Sequence, residues 1–102
     1  QKIMIDPGFG FGKTLNQNYQ LINMIPKLQQ FKYPILVGVS RKSMISQGLN
    51  IKTEDTLNGT IATNAICLTK GASIIRVHDI KAGKETIEIF KLVQSNQIQK
   101  QP

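Results

Sequence analysis

Tryptophan is missing from this chain, cysteine occurs once, and six acidic side chains face thirteen basic ones. The lone Cys67 excludes a disulfide within the chain and suits a reducing compartment, so a cytoplasmic location is expected. No apolar run reaches the roughly 18 residues of a membrane-crossing helix, and no signal peptide is legible. There is also no basic block. The cations are scattered in ones and twos, from Lys2 and Lys13 through Arg41-Lys42 to Arg76 and Lys100, so the net charge of +7 lacks the form of a nucleic-acid arm. A small anionic ligand suits that scatter better than nucleic acid or a membrane surface.

What the chain does have is three apolar runs, Ile3–Ile5, Ile35–Val39 and Ile74–Val77, each running into ionisable residues. Asp6 follows the first, Ser40-Arg41-Lys42-Ser43 the second, and Arg76-Val77-His78-Asp79 ends the third. Asp6 to Lys42 is 42−6=36 residues and Lys42 to Arg76 is 76−42=34, near the roughly 30 residues of a strand–crossover–strand unit. That cadence belongs to parallel α/β architecture. In a (β/α)8 barrel, polar groups at the C-terminal ends of neighbouring strands meet at one active site.

A whole barrel needs roughly 250 residues and this chain has 102, beginning with Gln1. The expected fold is therefore α/β: the C-terminal three βα units of a (β/α)8 barrel over residues 1–94, followed by a frayed polar tail, 95–102. Three such strands alone would leave edges unpaired and one face poorly covered, so the chain is not expected to be autonomous.

Between the runs, apolar residues at Leu15, Tyr19, Ile22 and Ile25 have helical spacing, with Thr14 or Asn16 as N-cap. Pro26 is expected to end that helix near Ile25 and to start a short turn. A loop is expected over Gln47–Thr56, then a helix from Leu57 to Lys70 closed by Gly71. The last helix should run from Ile80 to about Gln94 with Ile87, Phe90 and Val93 on its packed stripe. Small residues at Gly59, Ala62, Ala65 and Cys67 suit close helix contact, either within the barrel or with a second subunit.

The segment Pro7-Gly8-Phe9-Gly10-Phe11-Gly12-Lys13 reads as a strand-to-helix loop. Gly12-Lys13-Thr14 matches the end of a nucleotide phosphate loop, but Pro7 stands where that motif needs glycine, and the dinucleotide fingerprint fails on its spacing. Two phenylalanines on an exposed loop are unfavourable unless they cover something flat or apolar. Asp6 is either a plain loop cap or a carboxylate able to accept two parallel N–H bonds from a heterocycle. Arg41 and Lys42 are either solvated charges or neighbours of an anionic group, since a helix N-terminus disfavours cations. Arg76 within an apolar strand needs a partner if buried, and it shares a strand face with His78, an arrangement suited to an anion.

Asp6-Pro7-Gly8-Phe9-Gly10-Phe11-Gly12-Lys13, Gly38-Val39-Ser40-Arg41-Lys42-Ser43 and Arg76-Val77-His78-Asp79 together resemble the C-terminal motifs of the dihydropteroate synthase family, in family order. Gly59-Thr60-Ile61-Ala62 and Gly71-Ala72 add to a likeness that spans Ile3 to Val93. The resemblance implies a barrel enzyme, a transferase of folate biosynthesis, that joins dihydropterin-methyl diphosphate to p-aminobenzoate with magnesium present. It implies that Asp6, Lys42 and Arg76 bind the pterin, and that Arg76 and His78 bind diphosphate. Phe11, Lys42 and Ser43 would line the aminobenzoate pocket, and Lys42, Arg76 and His78 would carry catalysis. The magnesium ligand and two mobile loops lie in the family's N-terminal strands, which this chain does not contain, so no turnover is expected from it alone. A homodimer through the last helices would also be in keeping with the family. The alternatives are the pterin-binding domain of a methyltetrahydrofolate methyltransferase and a non-catalytic phosphate- or nucleic-acid-binding module.

Overall fold

The computed structural model describes residues 3–10 and 12–98. Its elements, in order, are α1 (Leu15–Leu28), β1 (Leu36–Val37), α2 (Ser43–Leu49), α3 (Leu57–Lys70), β2 (Ile74–Ile75) and α4 (Ile80–Ser95). Single 3-10 turns lie at Gln29–Phe31 and Thr53–Asp55.

β1 and β2 pair in parallel, Leu36 with Ile74 and Val37 with Ile75, and Ile5 forms a parallel bridge to Ile35 on the other side. Three chain segments therefore run side by side with helices between them, as the strand–helix cadence requires. The paired stretches are shorter than the apolar runs. Beyond Val37, the Val39 carbonyl accepts the Lys42 amide to close a turn, so it is not available to the ladder. A last rung, Arg76 N–H to the Val37 carbonyl at 2.9 Å, still fixes Arg76 beside β1.

Side-chain alternation gives the two faces opposite fates. Ile35, Val37 and Val39 are buried beneath the helices and join Phe9, Ile22, Ile25, Met44, Ile45, Cys67 and Ala72 in one core. Met4, Asp6, Leu36, Gly38, Ile74 and Arg76 share the opposite face by register. On that side Met4 is 52 % and Ile74 38 % exposed. This is the side that would look into a barrel.

Thr14 caps α1 as expected, in a reciprocal box: its hydroxyl accepts the Gln17 amide and Gln17 accepts the Thr14 amide. Pro26 does not end the helix, which continues to Leu28. Only one helical hydrogen bond is lost there, within the last turn; Ile22 and Ile25 before Pro26 are in the core and Leu28 beyond it packs against the core. The expected Gln47–Thr56 loop is likewise shortened. α2 continues to Leu49, where Asn50 takes a left-handed φ of 55° and stops it, and a 3-10 turn fills part of the remainder. α3 has the predicted bounds, closed by Gly71 at φ 122°.

α4 begins where expected but packs through Gly83 and Thr86, with Ile87 and Phe90 half-buried and Val93 67 % exposed. Glycine at position 83 lets the helix approach Val77 closely, and this moves the packed stripe toward the N-terminal half. Cys67 is fully buried in this chain's own core, so it cannot serve a second subunit, whereas Ile66 beside it is exposed.

Candidate active site

The C-terminal ends of the three parallel segments lie together, and each brings a charged or polar group. Asp6 leaves the first. One carboxylate oxygen accepts the Gly8 amide at 2.9 Å, shaping the loop, and the exposed carboxylate keeps further acceptor capacity. Phe9 does not lie exposed on that loop; it is 5 % exposed and packed in the core, so it anchors the glycine-rich segment from below. Phe11, expected at the aminobenzoate pocket, lies outside the described residues.

A buried asparagine that the periodicity argument passes over pins the same loop. Asn18 occupies a position on the apolar stripe of α1, yet its Oδ1 accepts the Gly10 amide at 2.8 Å and its Nδ2 donates to the Thr14 carbonyl. The sequence signal was present: an amide side chain four residues before Ile22 on a face that is otherwise apolar.

Lys42 follows the second segment as N-cap of α2. Its Nζ donates to the Phe9 carbonyl at 2.9 Å, which joins the second loop to the first. Burial and the Arg76 guanidinium hold its ammonium below the usual lysine range, Asp6 acts in the opposite sense, and Lys13 adds to the depression. Lys42 is thus within electrostatic reach of both Asp6 and Arg76. Ser43 lines, with Lys42, Lys13, Phe9, Gly10 and Gly12, a concavity of about 550 Å³.

Arg76 is exposed rather than buried, so it needs no counter-charge within this chain. Its guanidinium lies flat over Gly38, where an added Cβ would meet Nη2 at 2.7 Å. Two residues on, His78 meets Ser40: the backbone N–H donates to Ser40 Oγ at 3.3 Å and Nδ1 lies 3.1 Å from the same oxygen. With Oγ accepting from the backbone, the serine hydroxyl proton can go to Nδ1, an arrangement that leaves the ring proton on Nε2 as an outward donor. Next to this pair, Arg41 Nη2 meets Asp79 Oδ1 at 2.8 Å.

The site is therefore one carboxylate, one partly desolvated ammonium, one planar guanidinium and one imidazole at adjoining strand ends. Such a set can hold a flat heterocycle by its edge and face, and can place several donors on an anion. Among the described residues no group of three His, Cys, Asp or Glu side chains forms a metal site.

Known proteins resemble this chain in sequence and in fold. The family model described as pterin binding enzyme matches residues 1–78. The dihydropteroate synthase of Escherichia coli is 46% identical over 95 residues, which are 93% of this chain and 33% of that protein. A Yersinia pestis dihydropteroate synthase solved with a pterine-sulfa conjugate superposes with a TM-score of 0.88 at 45% identity, over 92% of this chain and 37% of that one. The Xanthomonas albilineans dihydropteroate synthase solved with 4-aminobenzoic acid gives 0.87 at 35% identity, over 92% and 37%. This chain spans about a third of the length of the curated relatives it matches. Its three βα units are thus a section of the (β/α)8 barrel, and the chain belongs to the pterin binding enzyme family.

Proposed function

We propose that these residues form the C-terminal active-site section, residues 1–94, of a dihydropteroate synthase. It would condense 6-hydroxymethyl-7,8-dihydropterin diphosphate with p-aminobenzoate. The observation that carries this reading is the convergence of Asp6, Lys42 and Arg76 at three adjoining strand ends, with His78 beside them.

In this reading Asp6 accepts the amino and imino N–H groups along the pterin edge, Lys42 donates to the ring and Arg76 covers its face. The C–O bond from the pterin methylene to diphosphate breaks, and the leaving group departs with the electron pair. The amine lone pair of p-aminobenzoate forms the new C–N bond, and the amine then passes a proton to solvent water. Charge accumulates on the departing oxygens, so the fixed donors Arg76 and His78 Nε2 stabilise the transition state more than the ground state. The amine is itself the nucleophile, so no covalent enzyme intermediate is needed. Phe11, Lys42 and Ser43 would border the aminobenzoate. Magnesium, expected with the diphosphate, finds no ligand set among the described residues, and no step here is routed through it.

The 4-aminobenzoic acid and pterine-sulfa ligands of the two relatives support the substrate classes. An apolar groove along Ala65, Ile89, Phe90 and Val93 supports pairing of the last helices in a homodimer. Among the described residues no helix is long and apolar enough to cross a membrane.

The test is to let this chain replace the 95 residues it matches in the Escherichia coli enzyme and to measure dihydropteroate formation. The graft should turn over, and Lys42→Ala should lower kcat/KM by about a hundredfold or more. A folded graft without turnover would overturn the reading.

A further inference from the structure

The turn that delivers Lys42 to the site has an unusual residue in it. The Val39 carbonyl accepts the Lys42 amide at 3.1 Å, which closes a four-residue turn over Ser40 and Arg41. Arg41, the third residue, has a φ of 58°, and Ser40 does not share that left-handed conformation. A turn with positive φ at its third position ordinarily takes glycine or asparagine there. Arginine holds that uncommon conformation here, so its surroundings must constrain it.

Its guanidinium reaches across to the third segment, Nη2 to Asp79 Oδ1 at 2.8 Å. Asp79 also departs from its local preference. It is the N-cap residue of α4, the position at which aspartate usually accepts an amide of the first turn, yet its side chain caps nothing. One residue back, Ser40 and His78 form their own pair. Two consecutive residues of one loop therefore grip two consecutive residues of the next, and the outer grip is one residue along the chain from Lys42 on one side and from His78 on the other. With the Arg41 side chain 49% and the Asp79 side chain 33% exposed, solvent screens the pair and it adds little to stability. Its effect is geometric.

We propose that Arg41 and Asp79 are positioning residues, a clasp that holds the strained turn so that Lys42 stays aimed at the site in fixed relation to His78. This rests on the function proposed above and adds two residues to it. Neither touches substrate in this account; both act through Lys42 and His78.

The informative variant is Arg41→Gly, because glycine relieves the strain while removing the clasp. In the Escherichia coli graft its melting temperature should stay level or rise. Its kcat should fall about tenfold, with KM for both substrates within about threefold of wild type. Asp79→Asn should show the same split, the double variant should be no worse than either single one, and Arg41→Lys should restore part of kcat. Unchanged kcat, or a loss of kcat that tracks a loss of melting temperature, would overturn the clasp. An inactive wild-type graft would instead count against the function. The folded graft also supplies a readout that needs no turnover: hydrogen exchange at the Lys42 amide should speed up in Asp79→Asn, and an unchanged rate would also overturn the clasp.

Discussion

At Gly38 the Arg76 guanidinium fills the space that any side chain would need. A Cβ there would sit 2.7 Å from Nη2, and because that atom ends a flexible side chain, the fold can yield by moving Arg76. Gly38→Ala in the graft should therefore leave the melting temperature nearly unchanged yet lower kcat/KM by about tenfold, since misplaced donors lose much of their effect. Equal losses of stability and activity would contradict this account. Cys67 makes a second prediction. Burial pushes its thiol from 9.0 up to about 11, so the native chain should resist thiol-specific labelling at pH 8 and react once denatured. The folded state also keeps this proton longer than the unfolded state does. The stability linked to it is intact below pH 9.0 and is lost as pH rises through about 11, a loss that Tyr19, also raised by burial, reinforces. Alkaline unfolding that is identical in Cys67→Ala would show that the thiol makes no such contribution.

Among the elements, α1 shows local rules and tertiary forces in opposition. Its start obeys the sequence: Thr14 and Gln17 form the capping box, and Thr14→Ala should reduce stability by about 1 kcal/mol in denaturant titration. Its end does not. Pro26 marks a stop on local grounds, but Leu28, beyond it, packs against the core, and the helix continues despite the one lost hydrogen bond. The same helix carries Asn18, whose amide gains two hydrogen bonds only because the Gly10 and Thr14 backbone groups are brought beside it. The packed stripe of α4 departs from its periodicity for a related reason: the close approach of Gly83 to Val77 sets which face packs, and periodicity alone does not reveal it. α3 has the bounds its sequence implies, because its closing Gly71 is a strong local stop signal.

For the molecule as a whole, the decisive fact is that one face of the paired segments is buried and the other open. The exposed Met4 and Ile74, with Leu36 half-buried between them, should bind an apolar fluorescent dye in the isolated chain. The same chain should show no dihydropteroate formation by itself, and measurable turnover would overturn the view that the site needs the rest of the barrel. The order of strands and helices, the parallel cadence and the placing of Asp6, Lys42, Arg76 and His78 at strand ends were all legible in the sequence. Periodicity, caps and strand alternation act within a few residues and leave local signatures. Tertiary structure alone decided that Phe9 turns inward, that Asn18 holds Gly10, that Lys42 reaches the Phe9 carbonyl and that Arg41 grips Asp79. Most of these contacts join residues 8 to 38 positions apart, and they exist only once the register between neighbouring segments has been set by packing against a common core.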